Sequence, residues 1–284
     1  MSIFTAVLLG IIQGLTEFLP VSSSGHLVLF QKLFDITEPA LFFDTMVHVG
    51  TLAAVVIVLR RDIWAILRRP AQPLTAYLII ATVPAVVFAL VLKNPIEKAF
   101  ESGQFLGFAF LITAALLIGA ELLSRRGALS RLDAENAAGA GEKNAAMNWL
   151  DALVIGVLQA VAIIPGVSRS GATLSGALSR RLDRDFAARF SFLLSIPAIL
   201  GALVLQLKDL VTDGAVSGMA GEAAGGIGAA ALIAGTLSAA VVGFFAVRLM
   251  LQIVRKKSLF GFAVYTGVLG ALVLLDQFAL HIVF

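Results

Sequence analysis

Four residues whose types suit phosphoryl transfer lie in or near two short serine-rich segments of this sequence. Glu17 precedes the first segment, Ser23 lies within it and His26 follows it directly. Arg169 lies inside the second segment. A carboxylate, a hydroxyl, an imidazole and a guanidinium can together supply a nucleophile, a proton acceptor and a clamp for a phosphate group. The residue types therefore indicate hydrolytic phosphoryl transfer.

The two serine-rich segments are copies of one Val-Ser-X-Ser-Gly pattern. It reads Val-Ser-Ser-Ser-Gly at 21–25 and Val-Ser-Arg-Ser-Gly at 167–171, an offset of 146 residues. At the same offset, Gly-Ile-Ile-Gln at 10–13 aligns with Gly-Val-Leu-Gln at 156–159. Two matches in register indicate an internal repeat.

The second copy lacks the reactive groups of the first. Ile163 and Ala172 occupy the positions that correspond to Glu17 and His26. This asymmetry favours one directional catalytic site over a symmetric pore.

The segments also predict a seat for an anion. Each ends in Ser-Gly and opens a new helix, whose N–H groups and partial positive charge attract phosphate. The predicted phosphate-binding residues are Ser22, Ser24, Gly25, Ser168, Ser170, Gly171 and Thr173. The alternative is that the second serine and the glycine of each segment only cap the helix and permit close packing.

Structural roles are the alternatives for the charged groups too. Glu17 and Arg169 can form a buried ion pair, although charges inside a membrane are costly and mostly functional. His26 can simply bind a carbonyl group. Asp44 and His48 are spaced i, i+4. They are interpreted as an interfacial polar pair that can also support the site.

The composition places these groups in a polytopic membrane protein. Of the 284 residues, 59% are hydrophobic and 14% charged, whereas a soluble domain carries about 25% charged residues. Six apolar runs are long enough to span a bilayer: 41–60, 74–93, 104–124, 186–207, 227–251 and 259–283. The chain has no cysteine, which excludes disulfides and thiolate metal sites. Its basic residues separate apolar runs and form no aromatic-rich basic face, so nucleic acid is not a predicted partner.

The charge pattern predicts the topology. Lys/Arg-rich loops belong in the cytoplasm. All of these loops can lie there only if the broken apolar segments 3–34 and 148–180 each enter and leave the membrane on the same side. The predicted fold is therefore all-α, with six spans and two re-entrant helix pairs arranged as inverted repeats. It forms one integral membrane domain, 1–284. Repeat 1 covers 1–124, a cytoplasmic linker predicted to be a loop covers 125–147, and repeat 2 covers 148–284.

The motifs resemble those of the undecaprenyl-diphosphatase family, also called bacitracin-resistance proteins. The resemblance rests on Gln13-X-X-X-Glu17, on Pro-Val-Ser-Ser-Ser-Gly-His at 20–26 and on Pro-Gly-Val-Ser-Arg-Ser-Gly-Ala-Thr at 165–173, and it extends over essentially the whole chain. It implies hydrolysis of undecaprenyl diphosphate to undecaprenyl phosphate and inorganic phosphate. That reaction recycles the lipid carrier for peptidoglycan, supports cell-wall synthesis and cell shape, and lowers sensitivity to the antibiotic bacitracin.

The same resemblance implies a location, a cofactor and roles for particular residues. Members sit in the bacterial plasma membrane, act on its outer side and need a divalent cation, Mg²⁺ or Ca²⁺. The family's catalytic serine, histidine and arginine fall on Ser23, His26 and Arg169. The family's acidic motif is (Glu/Gln)-X-X-X-Glu, and its first position is Gln13 here, so Glu17 is expected to be the main anionic metal ligand.

The chemistry leaves alternatives open. Ser23 is the preferred nucleophile, with His26 or Glu17 as its base, but direct attack by a water activated at His26 is nearly as favoured. A transporter or flippase for an anionic prenyl lipid is the rival function, because inverted repeats with broken helices also describe transporters. Membrane lipids and the prenyl substrate are the expected partners, and the sequence leaves monomer and homodimer open.

Overall fold

The computed structural model describes residues 1–34, 36, 41–92, 103–138, 147–212 and 227–284. Within these residues the protein is all-helical, with eleven α-helices and no β-strand. A π-helical turn, Asp276–Leu280, follows the last of them. The helices are α1 (Ile3–Phe18), α2 (Ser23–Leu33), α3 (Leu41–Val58), α4 (Arg60–Arg68), α5 (Pro73–Val91), α6 (Leu106–Ala138), α7 (Trp149–Val161), α8 (Arg169–Ser179), α9 (Arg184–Thr212), α10 (Ala229–Lys256) and α11 (Phe260–Leu275).

Several helices are long and apolar enough to cross a membrane. Five such stretches lie in the described residues: Pro73–Val91, Leu106–Arg125, Arg184–Leu205, Ala229–Lys256 and Phe260–Leu280. A sixth results if α3 and α4, which are bent by 76° relative to each other, form one broken span. These stretches coincide with the six predicted runs, which confirms a multi-pass, all-helical membrane protein.

The two predicted breaks lie where the serine-rich segments occur. Ser22 caps the start of α2, where its Oγ accepts a hydrogen bond from the N–H of Gly25 at 3.2 Å. Ser168 caps α8 in the same way, through the N–H of Gly171 at 3.0 Å. The first loop bends at Ser22, whose φ is +73°, and the second at Gly166, whose φ is +88°. A positive φ is unusual and costly for a serine, and such strain is concentrated at functional sites.

The short helices before the breaks are held by close packing against longer helices. α1 lies along α10, and α7 lies along α5. A Cβ atom at Gly14 of α1 would lie 2.8 Å from the backbone oxygen of Ala239, and one at Gly156 of α7 would lie 2.6 Å from that of Ala81. Neither position has room for a side chain, so the backbones pack directly. This packing fixes where the two loops end up inside the protein.

The prediction of a loop for the linker 125–147 is wrong for the first part of this segment. The helix α6 continues past the membrane-spanning stretch to Ala138. Alanine, leucine, arginine and glutamate are strong helix formers, and this segment is rich in them. Residues 139–146 of the linker lie outside the described residues.

Candidate active site

The two loops meet inside the protein, and each is bonded to the other. The Oγ of Ser24 accepts a hydrogen bond from the N–H of Gly166 at 3.3 Å. The Oγ of Ser170 donates to the backbone oxygen of Leu19 at 3.0 Å. Since Ser24 and Ser170 occupy equivalent positions in the repeat, the contact is reciprocal. The sequence predicts a site where the loops face each other, and the structure brings them together.

Glu17 lies at the centre of this meeting point. Its Oε1 forms an ion pair with the guanidinium Nη2 of Arg169. Its Oε2 accepts hydrogen bonds from the Oγ of Ser23 at 2.5 Å and from the Nε2 of Gln13 at 2.9 Å. Only 3% of the Glu17 side chain is exposed. One buried carboxylate therefore joins a hydroxyl of the first segment to the arginine of the second.

Arg169 has a second anchor and remains partly accessible. Its Nη1 donates to the backbone oxygen of Ser195 on α9 at 3.1 Å, and 20% of its side chain is exposed. A guanidinium has more N–H donors than these two contacts use. Its planar fork suits two-pronged binding of a phosphate group. The Arg169 guanidinium is thus held against the same carboxylate that binds the Ser23 hydroxyl.

The other predicted phosphate-binding residues have structural contacts here. The hydroxyls of Ser22 and Ser168 cap their helices, and the Oγ1 of Thr173 bonds to the Oγ of Ser191 at 2.5 Å. A Cβ at Gly25 would lie 2.7 Å from the Phe110 ring. These contacts agree with the capping and packing alternative, and direct contact with phosphate stays a prediction.

His26 is not bonded to Ser23 in this structure. Its Nδ1 lies 2.6 Å from the backbone oxygen of Ser22, and its Nε2 lies 2.8 Å from the hydroxyl of Tyr265 on α11. A backbone oxygen can only accept, so Nδ1 carries a proton and donates it. In the neutral imidazole Nε2 then carries no proton and accepts from the tyrosine hydroxyl. The carbonyl contact expected as the alternative for His26 is therefore present, together with a partner on the last helix.

The predicted side-chain pair of Asp44 and His48 is not formed. The Nδ1 of His48 lies 2.6 Å from the backbone oxygen of Asp44, whereas the Asp44 carboxylate accepts from the Nε2 of Gln31 at 2.7 Å. The i, i+4 spacing brings the imidazole to the backbone oxygen one turn earlier instead of to the carboxylate. The Nε2 of His48 lies 3.6 Å from the Oε2 of Glu17. His48 thus lies beside Glu17, and the supporting role expected for it stays a prediction.

Three residues at the site were missed by sequence reasoning. Tyr265 contacts His26, Ser195 supplies the backbone oxygen for Arg169, and the Oγ1 of Thr113 accepts from the N–H of Ser168 at 3.0 Å. They lie on α11, α9 and α6, outside the repeated segments. No motif or spacing in the sequence distinguishes them.

The described residues contain no cluster of three or more His, Cys, Asp or Glu side chains that could hold a metal ion. One observation nevertheless fits a hard cation. The Oε1 of Gln13 is buried and has no hydrogen-bond partner, and Gln13 is bonded to the Glu17 carboxylate. An amide oxygen and one carboxylate fit a Mg²⁺ or Ca²⁺ that takes its other ligands from phosphate oxygens and water.

The fold and the site together define a class of protein. It is a multi-pass membrane protein with a buried carboxylate–hydroxyl–arginine cluster where two helix breaks meet. Residues 6–272 match the family model described as "Bacitracin resistance protein BacA", and the chain belongs to this family. The resemblance seen in the sequence is thereby confirmed.

Curated relatives match almost end to end. An "Undecaprenyl-diphosphatase" of Carboxydothermus hydrogenoformans is 45% identical over 98% of this chain and 99% of its own length. The "Undecaprenyl-diphosphatase 3" of Bacillus cereus is 43% identical over 96% of each chain. An "Undecaprenyl-diphosphatase" of Halothermothrix orenii is 37% identical over 97% of this chain and 98% of its own.

Proposed function

We propose that this protein is an enzyme that hydrolyses undecaprenyl diphosphate to undecaprenyl phosphate and inorganic phosphate. The names of its full-length relatives support this substrate. The observation that carries the chemistry is the Glu17 carboxylate, which bonds the Ser23 hydroxyl on one side and Arg169 on the other. In the cell, the reaction returns the lipid carrier to cell-wall synthesis and accounts for bacitracin resistance.

The enzyme is favoured over a transporter of the same lipid. A carrier needs a seat for the anion but no nucleophile bonded to a base. Here Ser23 is hydrogen-bonded to a buried carboxylate. The second repeat has Ile163 and Ala172 in place of Glu17 and His26. This one-sided chemistry, together with the relatives' names, supports hydrolysis.

The mechanism that we propose has two displacements. Arg169 and the N-termini of α2 and α8 bind the diphosphate and neutralise its charge. The Oγ of Ser23 attacks the terminal phosphorus, its proton passes to Glu17, and undecaprenyl phosphate leaves with the bridging oxygen. A water molecule then attacks the phosphoserine, gives its proton to His26, and releases phosphate as Ser23 recovers its proton from Glu17. His26 finally releases its proton to solvent. Glu17 is the first base because it, and not His26, is bonded to Ser23.

A divalent cation is part of this proposal. Glu17 and the unpartnered Oε1 of Gln13 would hold it. When bound, Mg²⁺ or Ca²⁺ supplies positive charge to the phosphate oxygens. The chain's own residues then need to supply only the nucleophile, the bases and the arginine clamp.

The proposed topology is two inverted repeats in the bacterial plasma membrane, with the site open to the outer side. Its support is the packing pattern. α1 lies along α10 as α7 lies along α5, and α6 packs on α11 and α3 on α9. A two-fold relation between the repeats makes α1 the counterpart of α7, α5 of α10, α6 of α11 and α3 of α9. It would exchange the first two contacts and map each of the last two onto itself. The basic loops assign the opposite face to the cytoplasm.

Labelling of single cysteines tests this topology directly, because the natural chain has none. Phe34, at the end of α2, and Ala71, between α4 and α5, are both exposed. We expect a membrane-impermeant maleimide to label Phe34→Cys in intact cells and Ala71→Cys only after permeabilisation. The reverse pattern would place the site on the cytoplasmic side.

Phosphate release from purified protein in detergent tests the function. We expect the wild-type protein to release phosphate from undecaprenyl diphosphate, and a chelator to suppress the release. Ser23→Ala should lower kcat by about 10³-fold or more, because the nucleophile is lost. With substrate radiolabelled in the terminal phosphate, acid quenching should trap labelled wild-type protein but not labelled Ser23→Ala.

Ser24→Ala is the matched control. It removes a neighbouring hydroxyl that bonds the opposite loop and should retain most of the activity and the label. Full activity of Ser23→Ala would exclude Ser23 as nucleophile and leave direct attack by water. A wild-type protein that binds the lipid without releasing phosphate would instead indicate the transporter.

A further inference from the structure

Tyr265 contacts the site from the last helix, far from both repeated segments in sequence. Its hydroxyl lies 2.8 Å from the Nε2 of His26. The two rings are stacked, with centroids 5.7 Å apart and planes 10° from parallel. The His26 and Phe110 rings are arranged edge to face, with centroids 5.4 Å apart and an angle of 80° between their planes. The imidazole is therefore fixed both in plane and in direction.

The opposite nitrogen of His26 is fixed by the strained loop. The φ of +73° at Ser22 is associated with a backbone oxygen placed 2.6 Å from Nδ1. This bond keeps a proton on Nδ1 and leaves Nε2 as the only nitrogen that can accept one. Tyr265 is the side chain bonded to that nitrogen.

We propose that Tyr265 is a catalytic residue that acts through His26 in the hydrolysis of the phosphoserine, by passing the proton of the attacking water to Nε2. A phenol hydroxyl both donates and accepts. As the water attacks, the phenol proton passes to the neutral Nε2 and the hydroxyl oxygen takes the proton of the water; the protonated Nε2 then donates back to that oxygen. One 2.8 Å contact thus holds the base in place in both of its protonation states. The inference rests on the proposed function, since it assigns His26 to the second displacement.

A purely structural explanation makes different predictions. A tyrosine hydroxyl inside a membrane needs a partner, and His26 can be that partner without any role in the reaction. In that case, removal of the hydroxyl should change stability and not the properties of His26 during turnover. The two explanations separate when the effect of Tyr265 is measured with and without His26.

The first experiment is the substitution Tyr265→Phe, which keeps the stacked ring and removes only the hydroxyl. We expect kcat for phosphate release to fall about ten-fold or more, because the proton of the water loses its route to Nε2, with KM nearly unchanged. Acid quenching should trap more phosphoserine than in the wild-type protein, because the second displacement slows. Tyr77→Phe is the matched control, since Tyr77 on α5 is the only other tyrosine of the chain, and it should change neither quantity.

A double-mutant cycle decides whether Tyr265 acts through His26. In a His26→Asn background, Tyr265→Phe should have no further effect on kcat. The same ten-fold loss in both backgrounds would overturn the proposal. A wild-type protein that releases phosphate without forming a phosphoserine would overturn the proposed nucleophile, while the cycle would still report on the coupling.

A third measurement needs no active protein. The chain has three histidines, so ¹⁵N-histidine spectra are simple, and His26→Asn assigns the signal of interest. We expect His26 to carry its proton on Nδ1, and Tyr265→Phe to shift its Nε2 resonance selectively. A wild-type His26 protonated on Nε2 alone, or an Nε2 resonance that does not respond to Tyr265→Phe, would contradict the proposal.

Discussion

Replacing Arg169 by lysine is expected to lower kcat/KM for phosphate release by about 10²- to 10³-fold. Lysine keeps the positive charge but loses the planar fork, and one ammonium cannot both keep the bonds to Glu17 and Ser195 and grip a phosphate with two parallel N–H groups. The change should appear in KM and kcat together, because the arginine contacts the substrate throughout the reaction. Steady-state kinetics in detergent with a purified prenyl diphosphate measures it.

Arg180→Lys is the matched control for this substitution. Arg180 follows the same helix, α8, and its guanidinium bonds the buried carboxylate of Asp151 at 2.6 Å, so it too is an arginine in an ion pair. It has no contact with the loops, and its replacement should leave kcat/KM within about three-fold of wild type. Wild-type activity of Arg169→Lys would show that charge alone is required and that the fork is not used.

Glu17→Gln is expected to separate binding from catalysis. The substitution removes the base for Ser23, so kcat should fall by about 10³-fold or more. It also removes the anion that is paired with Arg169 in this structure, and the guanidinium becomes free for a ligand. Pyrophosphate affinity, measured by calorimetry in the presence of a chelator, should therefore rise by about ten-fold, because a carboxylate that repels the ligand is gone.

Glu121→Gln provides the comparison for Glu17→Gln. Glu121 is an equally buried glutamate that bonds Arg184 at 3.0 Å, on helices α6 and α9 away from the loops. This variant should bind pyrophosphate as the wild-type protein does. If Glu17 and Arg169 were only a structural ion pair, Glu17→Gln would lose stability and gain no affinity. A weaker affinity for pyrophosphate in the chelated Glu17→Gln protein would contradict the proposed role.

Sequence patterns identified the elements of the fold because they depend on local and periodic properties. The length and polarity of an apolar run decide whether a helix can cross a bilayer, and a serine followed by glycine at a break caps the next helix wherever it lies. For this reason the spans and both breaks were predicted closely. The linker shows the limit of composition. Its glycine, alanine and charged residues predicted a loop, but α6 continues to Ala138 because alanine and leucine favour a helix.

The sequence by itself predicted that Glu17, Ser23 and Arg169 lie together, because inverted repeats would place the two loops opposite each other, and the structure brings the three side chains into contact. Only the tertiary structure decided how they are connected. Glu17 and not His26 is bonded to Ser23, and His48 lies beside Glu17. Tyr265 enters from α11 to hold His26. The physical reason is that a hydrogen bond depends on positions within a few tenths of an ångström, which are set by the packing of helices from distant parts of the chain.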